Sequence, residues 1–366
     1  MLNARTLYDA MGSATEIFAH RREIAAVIPD ASPRLVEALG NVDDALRVAE
    51  REMEFVESNR LKVLTMGSDD YPYRLRECDD APLVLYSCGD VDFNRRHVVC
   101  VVGTRRCSEY GRELCRNFIA DLKRHCPDAL IVSGLAYGVD ICAHRRSLEV
   151  GMDTVAVLAH GLDSVYPSVH RQTAADMVRG GGGLLTEYTA RTRPERLHFV
   201  RRNRIVAGMS DACVVVESSV KGGSLITAEL SHHYNRDVFA FPGRVYDEYS
   251  AGCNRLIRRH EATLITCADD FIDAAGWCSV ADDDGKKGKE MAVQQEMFPD
   301  LTEEESRLVD ALRQVEDKHV NQLSVETDIP YSRASMVLFD LEMRGIVMAM
   351  GGARYRLLRK EVGAVR

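Results

Sequence analysis

Compact apolar runs alternate with amphipathic stretches through the middle of this chain. HVVCVVG, ALIVSG, DTVAVLAHG, GGLLTEY, ACVVVES, DVFAFPG and ATLIT recur there, each followed by a helical pattern. Near-continuous Val, Ile and Leu is what a strand buried on both faces requires, so helices must cover both sides of the sheet. The region from about 96 to 275 is therefore expected to be a doubly wound α/β domain with a mainly parallel sheet. Upstream, residues 1–60 read as short helices, with LVEALG and DDALRVAEREMEFVESN separated at Gly40 and Asn41. Between them and the sheet, a connector broken by Pro72, Pro82 and Gly89 carries a strand at PLVLYSC. Periodicity then vanishes in ADDDGKKGKEMAVQQEMFPD, the pattern of a linker. Beyond it, EEESRLVDALRQ, VNQLSVETD and SRASMVLFDLEMRG predict three helices, and IVMAMGGARYRLL a hairpin turning at Gly351-Gly352. That is the outline of a winged helix.

Composition adds exclusions. Of 366 residues, 46% are hydrophobic and 28% charged, an ordinary globular balance. No apolar run approaches the roughly 20 residues a membrane-spanning helix needs, and the opening MLNARTLYDAMGS lacks the basic-then-apolar plan of a secretory signal. A cytoplasmic protein is expected. The 11 cysteines are odd in number, scattered, and form no C-x-x-C pair, which argues against structural zinc and for reduced thiols. A net charge of -9 excludes indiscriminate coating of duplex DNA, yet leaves room for a local basic groove, because phosphate binding responds to the nearby field.

Such a groove is suggested by LHFVRRNRIVAG, residues 197–208, which holds Arg201, Arg202, Asn203 and Arg204 downstream of Arg191, Arg193 and Arg196. The only acid nearby is Glu195. Ligands of open α/β sheets bind beyond the carboxyl ends of strands, and four strand ends carry suitable chemistry. In VVGTRRCSEYGRE, Gly103 closes a strand, Ser108 can cap the next helix, and Arg105 can grip phosphate with a forked guanidinium. A tight turn with two solvated arginines, Arg105 and Arg106, is the plainer reading. In SGLAYGVDICAHR, Gly134 and Gly138 allow close backbone approach, and Asp140 with His144 lies at i, i+4 as either a base pair or a cap beside a packed ring. HGLDSVYPSVHRQ places Asp163, Tyr166 and Pro167 in a turn, then His170 and Arg171 at a helix start. In VESSVKGGSLITAEL, backbone amides at Gly222 and Gly223 with the hydroxyls of Ser224 and Thr227 suit a phosphate cradle. Some of the arginines are expected to brace loops through carbonyls instead.

In order along the chain, VGTRRCSEYG, SGLAYGVDICAH, GLDSVYP, HFVRRNRIVAG, GGSLITAE, FPG and SAGCNRLI resemble the motifs of the DNA-processing protein A family, DprA or Smf, over about residues 60 to 272. The resemblance implies an extended Rossmann-like domain that binds single-stranded DNA and forms a homodimer. It further implies loading of the RecA recombinase against single-strand-binding protein in natural transformation, with no catalysis, cofactor or metal. On that basis Gly103, Thr104 and Arg105 match the family's G-S-R, Arg202, Asn203 and Arg204 its R-N-R, and Gly222 to Thr227 its G-S-L-I-T-A loop. Where many members carry a DNA-touching lysine this chain has Ser168, with Arg171 as the replacement. The family's F-P-x-R-N-R here loses a proline and gains Arg201. Arg202 is expected to face outward and Arg204 inward.

The implied organisation is a sterile-alpha-motif-like helical domain at 1–60, entered late, then the Rossmann-like domain at 61–275, a linker at 276–300 and a winged helix at 301–366. Ser332 and Arg333 would start the winged helix's recognition helix, in a segment rich in acids that favours protein interaction or weak duplex contact. Two other functions remain open. KGGSLITAE also resembles the P-G-G-x-G-T-x-x-E loop of nucleoside-monophosphate phosphoribohydrolases, with Thr227 and Glu229 in its Thr and Glu positions. A transcriptional regulator acting through the carboxyl-terminal domain is the third.

Overall fold

A computed structural model describes residues 2–24, 28, 32–277, 301–313, 317–350 and 352–357. Apart from Gly276 and Trp277, the expected linker lies outside the described residues, as does Gly351. The chain divides into two compact units, residues 1–268 and 269–366.

The first unit opens with α1 (Leu2–Met11), α2 (Ala14–Ala19), α3 (Pro33–Gly40) and α4 (Asp43–Ser58). Strand β1 (Lys62–Thr65), α5 (Tyr73–Arg76) and β2 (Val84–Cys88) follow. Strands and helices then alternate: β3 (Val98–Val102), α6 (Glu109–His125), β4 (Leu130–Ser133), α7 (Val139–Glu149), β5 (Thr154–Val157), α8 (Arg171–Arg179), β6 (Gly183–Thr186) and α9 (Arg196–Gly208). The alternation continues through β7 (Ala212–Val215), α10 (Gly223–His233), β8 (Asp237–Ala240), α11 (Ala251–Arg258) and β9 (Thr263–Leu264).

These strands build one nine-stranded sheet in the order β1-β2-β6-β5-β4-β3-β7-β8-β9. Every pair from β6 to β9 is parallel, while β1 and β2 extend the sheet antiparallel. The expected mainly parallel, Rossmann-like architecture is the one observed. Every residue of β3, β4, β5, β6 and β7 is buried, as their unbroken apolar runs demand. The antiparallel extension is tied down by charge: buried Arg74 bonds the Asp211 carboxylate at 2.5 Å, which in turn accepts the Val98 amide at 2.8 Å. Helix α4 is fastened similarly, its Glu52 carboxylate accepting the Ala190 amide at 2.8 Å.

From β3 the connections run outward through β4, β5 and β6, whereas β7, β8 and β9 run the other way. The switch point therefore lies between β3 and β7, where diverging loops open a crevice at the carboxyl edge.

The second unit contains α12 (Ala268–Ala275), which begins one residue before its boundary, then α13 (Glu303–Arg313), β10 (Lys318–His319), α14 (Val320–Thr327), α15 (Tyr331–Met343), β11 (Val347–Met350) and β12 (Arg354–Leu357). Leu308, Leu312, Leu323, Leu338, Leu341 and Val347 fill its core. The predicted hairpin is present as β11 and β12, and β10 adds a third antiparallel strand. Two residues are too few to display alternation, so β10 had no signal in the pattern. Among the described residues, no helix is long and apolar enough to cross a membrane.

Candidate nucleic-acid interface

The loop after β3 is pinned on two sides. Thr104 donates its amide to the Glu217 carbonyl at 2.7 Å, and its own carbonyl accepts the Val139 amide at 3.2 Å. A β-carbon on Gly138, whose φ is +80°, would overlap the Thr104 carbonyl and lie 2.7 Å from the Arg105 carbonyl carbon. The loop thus rests on bare backbone at the start of α7, and Arg105 and Arg106 are left exposed. Neither has an acid partner among the described residues.

Ser108 caps α6 as expected, accepting the Gly111 amide at 3.1 Å. The helix start is not open to an external anion, however. The Glu217 carboxylate accepts both the Ser108 amide at 2.8 Å and its hydroxyl at 2.5 Å. Gly111 makes room for it, since a β-carbon there would overlap that carboxylate. The favourable negative charge at the helix start is the chain's own, and it joins the loop after β7 to the loop after β3.

The arginine-rich stretch forms α9, which begins at Arg196. Arg201 is exposed, but Arg202 and Arg204 are only 4% and 5% exposed. Arg204 faces inward as expected, donating to the Asp80 carbonyl at 2.7 Å and pairing with the Glu187 carboxylate. The outward expectation for Arg202 is corrected. Its guanidinium donates to the carbonyls of Gly134, at 2.8 Å, and Val157, and to the Asn203 side-chain oxygen at 3.2 Å. Residues 202, 205, 206 and 209 share one helix face, and that face packs into the sheet's core. Burial lowers the Arg202 pKa to about 10, an effect opposed by Asp140 and reinforced by Arg105. Arg202 thus braces the ends of β4 and β5.

One turn before Arg202, the Phe199 ring gathers the exposed and buried groups. The Arg105 guanidinium lies 5.3 Å from its centroid and that of Arg202 6.0 Å, both within cation–π range. Tyr166, half exposed, packs against the same ring at 5.8 Å. Phe199 is the hub of this edge, an aromatic on α9 that the sequence already offers, with Tyr166 and Tyr110, as a platform for stacking bases.

Of the remaining candidates, Arg171 is exposed at the start of α8. Gly222 is partly buried and Gly223 exposed, at a helix start with no side-chain cap. The hydroxyls expected beside them are withdrawn: Ser224 is buried and donates to the Ser218 hydroxyl at 2.8 Å, and Thr227 is buried on α10. Any cradle there is made of backbone, with exposed Lys221 beside it.

Asp140 and His144 are not partners. Asp140 is buried beneath the Gly134–Gly138 loop, where it accepts the Ala136 amide at 3.3 Å. Burial raises its pKa and Arg202 opposes the rise. The His144 ring instead bonds the Thr154 hydroxyl at 2.7 Å, and burial lowers its pKa from 6.5 to about 3. His160 and His170 are shifted down by burial as well. A ring held neutral in the fold is protonated on unfolding, so its contribution is complete above pH 6.5 and is lost as pH falls from there toward 3. The slope is up to about 1.4 kcal/mol per pH unit for one such ring. Urea denaturation at pH 7 and pH 5 should show lower stability at pH 5, and His144→Gln should flatten the difference. Equal stability at the two pH values would refute a neutral buried His144.

Comparison with known proteins places these features in context. The family described as DNA recombination-mediator protein A matches residues 62–276. A putative DNA processing protein DprA of Mycobacterium tuberculosis is 34% identical over 316 residues, 82% of this chain and 78% of that one. The crystal structure of DNA processing protein A from Streptococcus pneumoniae superimposes with a TM-score of 0.60 at 34% identity, covering 69% of this chain and 86% of that one. A structure of the Helicobacter pylori protein, described for its single-stranded DNA binding mode, gives a TM-score of 0.52 at 28% identity, covering 58% and 94%.

Proposed function

Since the chain belongs to the DNA recombination-mediator protein A family, we propose that it binds single-stranded DNA across the crevice between β3 and β7. The family makes it a DNA-processing protein of recombination. The finer reading is a mediator that forms a homodimer, shields incoming single strands and helps RecA displace single-strand-binding protein during transformation.

One observation carries the reading. Exposed Arg105 lies over the Phe199 ring, which Tyr166 meets, with exposed Arg106 beside it in the same loop and exposed Arg201 two residues further along α9. None of the three forms an ion pair within 4 Å among the described residues. Guanidinium groups bind the phosphates, and each contact releases counterions. Bases freed from a duplex can stack on the rings, at about 1–3 kcal/mol per base. Gly223 offers a backbone amide on the other side of the crevice, the Gly222 amide being donated to the Ser219 carbonyl at 3.0 Å. Arg171 extends the basic surface. Arg202 and Arg204, though part of the family's R-N-R, serve by holding strand ends and loops.

The test is a salt-titrated binding assay on single and double strands. Tight single-strand binding is expected to weaken linearly in log–log form. Arg105→Ala should reduce the slope by about 0.7, the value for one single-strand phosphate contact. Equal affinity for duplex, or an unchanged slope in Arg105→Ala, would sink the reading.

The phosphoribohydrolase alternative needs Thr227 and Glu229 at one site. Thr227 is buried, whereas Glu229 is exposed and lines a 610 Å³ cleft with Lys221 and Arg255. The carboxyl-terminal unit is read as a winged helix that contacts protein. Its α15 exposes Tyr331, Met336, Phe339 and Met343, and Arg333 is paired with Glu304 at 2.8 Å. That face offers apolar surface where a duplex reader would carry free cations. The same features speak against a sequence-specific transcriptional regulator.

A further inference from the structure

The loop joining β6 to α9, residues 187–195, holds a second group of exposed cations. Arg191 and Arg193 lie in it and Arg196 starts the helix, all three exposed. None of them forms an ion pair within 4 Å among the described residues. Of the two acids in this stretch, Glu187 is turned inward onto Arg204, which leaves Glu195 against three arginines.

The loop is fastened through its backbone. The Glu52 carboxylate of α4 accepts the Ala190 amide at 2.8 Å, and the Asp163 carboxylate accepts the Arg191 amide at 2.8 Å. The Gly161 amide donates to the Thr192 carbonyl at 3.1 Å, and the His198 ring to the Arg193 carbonyl at 3.2 Å. Packing at Gly161 is tight: a β-carbon there would lie 2.5 Å from the Thr189 carbonyl oxygen and 2.8 Å from the Ala190 Cα. Both neighbouring carboxylates therefore engage amides and leave the guanidinium groups to solvent. Arg191 itself has a φ of +67°, a left-handed conformation that glycine or asparagine adopts more readily. An arginine at that position keeps a charged side chain where the turn alone would favour glycine.

We propose that Arg191, Arg193 and Arg196 form a second phosphate-binding strip, over which single-stranded DNA runs on from the Phe199 edge toward β6. The strip presupposes that the crevice binds single strands, and it lengthens their path. Contiguity favours DNA over an acidic protein as the ligand. The turn after β5 presents Tyr166 to Phe199 and, through Gly161 and Asp163, also holds Thr192 and Arg191. Arg196 lies one turn before Phe199 and Val200 on α9. Rings and arginines thus share one support. Strands β3, β4, β5 and β6 are neighbours in the sheet, and at about 4.8 Å per step their ends span about 14 Å. That is room for about four nucleotides at the stacked spacing of about 3.4 Å. Each guanidinium can hold a phosphate with two parallel hydrogen bonds.

Asp163 is then a positioning residue. Its charge opposes DNA, yet its Oδ1 fixes the Arg191 backbone. Asp163→Ala should weaken binding to long single strands even though it removes a negative charge. Asp163→Asn keeps the acceptor oxygen and should bind at least as tightly as wild type.

The test measures binding of the full-length chain to oligothymidylates of about 4 to about 16 nucleotides, the range of single-strand sites, at several salt concentrations. With Arg191, Arg193 and Arg196 all changed to Gln, affinity for the longest should fall at least about tenfold. The salt slope should fall by about 2, since each single-strand contact contributes about 0.7. The shortest should bind as it does to wild type, and affinity should stop rising about four nucleotides earlier. Arg179→Gln, at an exposed arginine paired with Asp176 on α8, should change neither. Unchanged binding of the longest oligonucleotide by the triple variant would assign the strip to an acidic protein and overturn the proposal. An equal loss at every length, or Asp163→Ala binding as tightly as Asp163→Asn, would overturn it too. Failure of the crevice itself would look different: wild type would bind duplex and single strands equally at every length, and both proposals would fall together.

Discussion

Arg202→Ala should lower the stability of the fold by about 3–5 kcal/mol, the cost of removing one partner from a buried charged network. Three losses combine. The carbonyls of Gly134 and Val157 lose the donor that satisfies them at the ends of β4 and β5, and an orphaned buried polar group costs about 1–3 kcal/mol. Asp140, buried and already pushed toward its neutral form, loses the charge that opposes that shift. A void is also left under Phe199. Arg202→Lys should fall between wild type and alanine, because an ammonium keeps the charge but cannot reproduce the fork. Arg201→Ala, one residue away and exposed, should change stability by no more than about 0.5 kcal/mol. Urea denaturation of the three variants beside wild type measures this. A loss in Arg202→Ala below about 1 kcal/mol would show that the strand ends hold without the guanidinium.

That contrast between adjacent arginines marks the limit of what the sequence disclosed. The strands from β3 to β8 were legible because both faces of each are buried, leaving an unbroken apolar run. β1 and β10 were not, since short edge strands impose no such demand. In the arginine stretch the deciding signal was present but outweighed. Ile205, Val206 and Met209 mark the buried stripe that includes position 202, yet a cluster of charge suggests exposure for all its members. The same competition misplaced Ser224 and Thr227, whose hydroxyls suit a phosphate but lie on the inward face of α10. Glu217 could not be read at all. A carboxylate after a buried strand needs a partner, and this one finds Ser108, 109 residues earlier in the chain. Local pattern reports which residues are buried; it does not report which distant loop a buried charge will meet.

The second large effect is expected at Gly138, on which the Arg105 loop rests. With φ at +80° and ψ at -120°, its backbone lies where only glycine is at ease. Gly138→Ala adds two penalties: backbone strain of about 1–3 kcal/mol, and a β-carbon driven into the Thr104 carbonyl and the Arg105 backbone, with overpacking costing a further 1–3 kcal/mol or so. The collision can be relieved only by moving that loop, which is held from the far side by Glu217 through the Thr104 amide. Arg105 would then leave the Phe199 ring. Single-strand affinity should drop at least tenfold, about 1.4 kcal/mol, in protein that remains folded by circular dichroism. Gly151 separates the two penalties, since it too has positive φ, at +67°, but nothing within 4 Å of an added β-carbon. Gly151→Ala should cost about 1–2 kcal/mol of stability from backbone strain alone and leave DNA binding at the wild-type level. If Gly138→Ala were destabilised yet bound single strands normally, the position of the Arg105 loop would not depend on the start of α7, and the crevice would have to be held by Glu217 alone.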